Sequence, residues 1–155
     1  MFRDEPRFAF ALQALDRREF ERAQSAFDEL LASESLRADE RAFLLNKRGV
    51  ARIGLKAREL ARADFAAALQ ARPAYAPALT NLGNLSLEEG DLDAAIARYE
   101  SAIRADADYA VAYLNLGVAY KRAGRIDDGV RALRQAQRLE QRANAASGWR
   151  RARRR

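Results

Sequence analysis

Small and bulky apolar residues return every 34 positions along the middle and end of the chain. Gly49, Gly83 and Gly117 form one column, and Ala61, Ala95 and Gly129 a second; Phe65, Tyr99 and Leu133 form a third, and Ala68, Ala102 and Ala136 a fourth. In frames 42–75, 76–109 and 110–143 these columns fall at repeat positions 8, 20, 24 and 27. A small residue at position 8 of one helix and at position 20 of the next lets two antiparallel helices approach closely, and the bulky group at 24 fills the space beside them. The pattern predicts first helices over about 6–16, 40–53, 76–89 and 110–123, and second helices over about 19–33, 57–71, 92–105 and 126–144.

The clearest stretches are Asn81-Leu-Gly-Asn84, then Gly90-Asp-Leu-Asp-Ala-Ala-Ile-Ala-Arg-Tyr99, and Tyr113-Leu-Asn-Leu-Gly-Val-Ala-Tyr120; Pro73 stands at position 32 of its frame. These resemble the tetratricopeptide repeat, TPR. The resemblance implies an all-α fold, a right-handed α-solenoid of four TPR-like helix-turn-helix repeats. Ala11, Ala23, Phe27 and Leu30 place a more degenerate first repeat at 4–37, followed by a four-residue insertion around Ser33-Glu-Ser-Leu-Arg-Ala-Asp39, whose serines and acids suit a loop and a helix N-cap. The repeats then make one domain over 1–146.

Gly90 and Gly124 mark two turns within repeats, where glycine supplies the positive φ that ends a helix. The second repeat departs from this, since Gly54-Leu-Lys-Ala57 carries its glycine two positions early and Arg58 stands where the family has an aromatic or leucine. Gly129 in place of alanine is expected to cost its helix about 1 kcal/mol and to loosen the last pair. Position 28 changes from Leu31, Leu69 and Ile103 to Gln137, beside Arg134, Arg138, Glu140 and Arg142, so the last helix is polar as a cap should be. Val130, Leu133 and Leu139 either leave an apolar strip for a weak homodimer or pack inward on a helix reaching about Ala146.

With 49% hydrophobic and 32% charged residues the chain suits a folded protein. Cysteine and histidine are both missing, which removes disulfides, thiol chemistry and every imidazole base or ligand. The opening Met1-Phe-Arg-Asp-Glu-Pro6 lacks a secretory pattern and no apolar run spans a membrane, so a cytoplasmic protein is expected. The net charge of +6 lies at the C-terminus, where residues 141–155 hold six arginines and no acid; the remaining 22 basic and 22 acidic groups balance. A serine-glycine pair, Ser147-Gly148, is expected to end the helix and begin a flexible arginine-rich tail, 147–155.

In the family, first helices line a concave groove for an extended peptide or partner helix. The resemblance carries this role to Asn46, Lys47 and Val50, to Thr80, Asn81 and Asn84, and to Leu114, Asn115, Val118 and Lys121. Asn81 and Asn115 lie one period apart, and their amides either hold backbone amides of a ligand or serve helix packing. The family's carboxylate clamp, which grips acidic chaperone tails, needs basic residues absent from both registers here. One supplies Phe8, Leu12, Lys47, Pro77 and Asn81; the other supplies Asn46, Val50, Asn81, Val111 and Asn115. A protein or peptide partner is therefore expected, other than a chaperone tail, with no small-molecule substrate. The alternative is RNA or an anionic membrane bound by Trp149, Arg150, Arg151, Arg153, Arg154 and Arg155; neutralising about five phosphates of a duplex would give a salt slope near −4.5.

Catalysis is not expected, and neither is a cofactor or a metal. Asp91 and Asp93, Asp106 and Asp108, and Asp127 and Asp128 read as caps and helix-start charges. No phosphate-cradling glycine loop follows a strand.

Overall fold

The computed structural model describes residues 6–33 and 35–152, with side chains described as far as Ala146. Among the described residues there are eight helices: α1 (Pro6–Asp16), α2 (Phe20–Leu31), α3 (Ala38–Gly54), α4 (Arg58–Ala71), α5 (Ala76–Glu88), α6 (Leu92–Ala105), α7 (Ala110–Arg122) and α8 (Ile126–Ala152). The expected bounds hold to within about two residues except at the chain's last helix, which runs on through Ser147 and Gly148. The alanines and arginines on both sides of that pair are strong helix formers, and two weaker residues lower helix propensity without forbidding it. Residues 1–5, Glu34 and Arg153, Arg154 and Arg155 lie outside the described residues.

The chain packs as two compact units, Met1–Ala78 and Leu79–Arg155. In the first, Phe8, Ala11, Ala23, Phe27, Leu30, Leu44 and Ala51 form a buried cluster, with Leu12, Leu15, Leu36 and Phe43 packed against it. In the second, Ala95, Ile96, Tyr99, Leu116, Ala119, Tyr120 and Ala132 form another, flanked by Leu87 and Ile103.

The columns seen in the sequence meet within each unit. A Cβ built on Gly49 would stand 2.5 Å from the Phe65 ring, one on Gly83 2.6 Å from the Tyr99 ring, and one on Gly117 2.7 Å from Leu133. Position 8 is glycine because the bulky group at position 24 of the next helix occupies the space a side chain would need. Gly129 is explained in the same way and corrects the expectation of a loosened pair. Its missing Cβ would fall 2.6 Å from Lys121 Cγ and 2.9 Å from the Gly117 carbonyl oxygen, so two glycines bring α7 and α8 together. Leu133 is half-buried and Leu139 is 6% exposed, so these members of the supposed dimer strip turn inward.

Four turns share one geometry. Arg18, Lys56, Gly90 and Gly124 all have positive φ, at 62°, 62°, 84° and 77°. Each residue following them donates its N–H to a carbonyl five positions back: Glu19 to Ala14 at 2.9 Å, Ala57 to Arg52 at 2.9 Å, Asp91 to Ser86 at 2.9 Å and Arg125 to Tyr120 at 2.8 Å. This six-to-one bond closes the carbonyl end of the helix and reverses the chain. The early glycine of the second repeat has a different task. A Cβ on Gly54 would stand 2.5 Å from the Phe20 ring, so Gly54 makes room for α2 while Lys56 makes the turn.

The start of α3 also differs from expectation. Its N-cap is Arg37, whose backbone N–H donates to Glu40 Oε2 at 3.0 Å, so Glu40 caps the helix and not the loop's serines.

Candidate partner-binding face

In the second unit α5 and α7 are the first helices of their hairpins, and the residues beside their close-packing glycines set the site. Gly83 admits the Tyr99 ring from α6. The adjacent Asn84 then receives the phenol, whose hydroxyl donates to Asn84 Oδ1 at 2.8 Å. Asn115 Nδ2 of α7 donates to the same oxygen at 2.8 Å. One amide oxygen thereby ties three helices together. The Asn84 Nδ2 group, one Nδ2 hydrogen of Asn115 and the Asn115 Oδ1 remain for another partner. Burial, reinforced by Glu88 and opposed by Arg122, pushes the Tyr99 hydroxyl up to about 12, so it stays a donor at neutral pH.

Around this knot α7 exposes an apolar strip. Val111, Leu114 and Val118 are 45%, 42% and 36% exposed, and their spacing of three and four puts them on one helix face with Asn115 among them. Asn81, one turn before Asn84, is half-buried and has further interactions of its own. Lys121 is exposed, but the stem of its side chain crosses the Gly129 site.

Thr80 and Asn46, expected to line a groove, do not lie on a surface: they are 1% and 4% exposed. Each lies three residues before a close-packing glycine, Gly83 and Gly49, and so falls on the face that meets the neighbouring helix. The expectation is corrected for these two.

The first unit carries Lys47 and Val50 on α3, both half-buried. Lys47 Nζ stands 5.4 Å from the centre of the Phe43 ring, which tilts against Phe8 at 5.6 Å. The same unit holds a part-buried ionic ladder, centred on the buried Asp64, that the periodic columns do not reveal. Arg48 binds Asp64 through Nε at 3.0 Å and Nη2 at 2.6 Å, and Asp28 through Nη1 at 2.6 Å. Arg52 Nη1 also reaches Asp64, at 2.9 Å. Burial pulls the Arg48 guanidinium down, but its bonds to Asp64 and Asp28 outweigh this and leave it raised. The ladder joins α2, α3 and α4 and fixes the helix that bears Lys47 and Val50.

The acids act as the spacing suggested. Asp91 accepts from the Ala94 N–H at 3.0 Å, Asp106 accepts from the Asp108 N–H at 3.0 Å, and Asp128 pairs with Arg125 and Arg131. The Arg125 and Arg131 bonds hold the Asp128 carboxyl below its usual range. No cluster of three or more acids among the described residues could hold a metal ion, and no described helix is long and apolar enough to cross a membrane. Of the alternative site, Trp149, Arg150 and Arg151 have their backbone in α8, their side chains lying outside the described residues.

Comparison with known proteins agrees with the fold. One family model, described as TPR repeat, matches residues 83–124, and another, described as Tetratricopeptide repeat, matches 110–142. The crystal structure of MamA is similar with a TM-score of 0.69 at 22% identity, over 87% of this chain and 77% of that one. BtubC (BKLC) from P. vanneervenii is similar with a TM-score of 0.71 at 22% identity, over 87% of this chain and 62% of that one. The second TPR of Spaghetti (RPAP3), bound to the HSP90 peptide SRMEEVD, gives 0.60 at 20% identity, over 65% of this chain and 94% of that one. The all-helical architecture is that of an α-solenoid of TPR repeats. Its period, its glycine-to-aromatic packing and both matching family models agree, and residues 83–142 carry tetratricopeptide repeats.

Proposed function

We propose that this protein is an interaction scaffold, without chemistry of its own, that holds a peptide or helix of a protein partner along the α5 and α7 face. The observation that carries the reading is the exposed strip Val111, Leu114 and Val118 beside the fixed amides of Asn84 and Asn115. Aliphatic side chains of a ligand would cover the strip, and its backbone would meet the amides, giving binding that depends little on ligand sequence. A related fold, the second TPR of RPAP3, holds a peptide, which supports this use of the architecture. The ligand proposed here is not an acidic chaperone tail, because Pro77, Asn81, Val111 and Asn115 occupy positions where the carboxylate clamp would need basic groups.

Affinity capture from the native cell tests the reading. The natural chain and a Leu114→Asp, Val118→Asp variant are compared by quantitative mass spectrometry, with helical circular dichroism as the folding control. A loss of at least about tenfold in the captured partner is expected, since two desolvated charges oppose an apolar ligand. An unchanged set of captured proteins would overturn the reading.

A further inference from the structure

We propose that the outer face of α8 is a second binding site, for the phosphate backbone of single-stranded nucleic acid. Arg131, Arg134, Arg138 and Arg142 are all exposed. At 100° per residue they stay within about 80° of arc, and a rise of 1.5 Å per residue spreads them over about 16 Å of helix. Arg131 is paired with Asp128; among the described residues Arg134, Arg138 and Arg142 have no acidic partner. After Asp128 the sequence holds nine arginines and one acid, and that acid, Glu140, lies about half a turn away from the arginine line. A depression of about 490 Å³ opens on the same face, lined by Gln135, Arg138, Gln141, Arg142 and Ala145.

The arrangement selects among polyanions. A helix that lies on a bilayer needs an exposed apolar side, whereas Ala132, Ala136 and Leu139 of α8 are buried. The guanidiniums form a single line one residue wide, which follows one strand of phosphates and does not straddle a groove. Arginine forks match phosphate oxygens, and the two glutamine amides can meet sugar or base edges that a single strand leaves open. The backbone of α8 continues to Ala152, so Arg150 and Arg151 prolong the same element.

The test is fluorescence anisotropy of the full chain with a labelled, mixed-sequence single-stranded RNA over a salt series. Four neutralised phosphates give a slope of log K against log salt of about −2.8, and Arg134→Gln, Arg138→Gln, Arg142→Gln makes it shallower by about 2. The Leu114→Asp, Val118→Asp variant is expected to bind the RNA as the natural chain does, so this site and the α5–α7 face succeed or fail separately. The proposal is overturned by an absence of salt-sensitive binding or by an unchanged slope in the triple variant. It is equally overturned if polyglutamate of equal charge, or vesicles of phosphatidylcholine with phosphatidylserine, displace the RNA as well as unlabelled RNA does.

Discussion

Two of the described residues with side chains hold a conformation that side chains disfavour. Arg18 and Lys56 sit in the left-handed region at turns where the later repeats have Gly90 and Gly124. Arg18→Gly and Lys56→Gly should each raise stability by roughly 0.5–1 kcal/mol, the relief of strain exceeding the added freedom of the unfolded chain, while Gly90→Ala should lower it by about 1 kcal/mol. Urea denaturation midpoints measure all three. Asp64 makes the opposite case: it is 3% exposed and holds both Arg48 and Arg52, so Asp64→Asn should cost about 2–3 kcal/mol by leaving charges buried without their partner. Tyr99 sets an alkaline limit. Its folded-state value of about 12 lies above the ordinary 10.0, so unfolded chains lose this proton first and stability falls as pH rises through that window. Tyr99→Phe should flatten the fall by one proton, read from denaturation curves across alkaline pH, leaving the smaller contributions of Tyr109 and Tyr120, also raised by burial. The glycine and aromatic columns were legible because sterics restricts those positions to few residue types. The ladder and the non-glycine turns were not, since a charged residue in a repeat reads as surface until its partners are seen.

At the scale of elements, helix spacing alone located nearly every boundary. What it missed were places where one helix answers another. Gly54 looked like a misplaced turn glycine, yet it accommodates the Phe20 ring of α2; Gly129 looked like a weak point in α8, yet it lies against the Gly117 carbonyl. Gly129→Ala, a substitution that favours an isolated helix, should therefore destabilise this protein by about 1–3 kcal/mol through overpacking, measured as a fall in thermal midpoint. A gain in stability would show that α7 and α8 do not need this approach. The extension of α8 was hidden by Ser147-Gly148, since local propensity identifies weak positions in a helix and not whether the neighbouring turns carry it through them. That extension aligns the later arginines with the same element as the exposed line on α8.

Across the whole molecule the exposed chemistry differs from face to face: an apolar, amide-bearing face on α5 and α7, and an arginine face on α8. The repeat type and the order of helices could be read from the period. The usable face could not be read in full, because register positions that are equivalent in sequence are unequal in exposure: Thr80 is 1% exposed and Leu114, one period later, is 42%. Val111 joins the strip through the same spacing that places Leu114 and Val118 on it. The central claim is that a partner peptide lies on this strip, and hydrogen exchange of the chain with and without the captured partner tests it most directly. Slower exchange confined to α5 and α7 around Asn84, Leu114, Asn115 and Val118 is the expected result. Protection that appears on α8 while α5 and α7 exchange as in the free chain would contradict it.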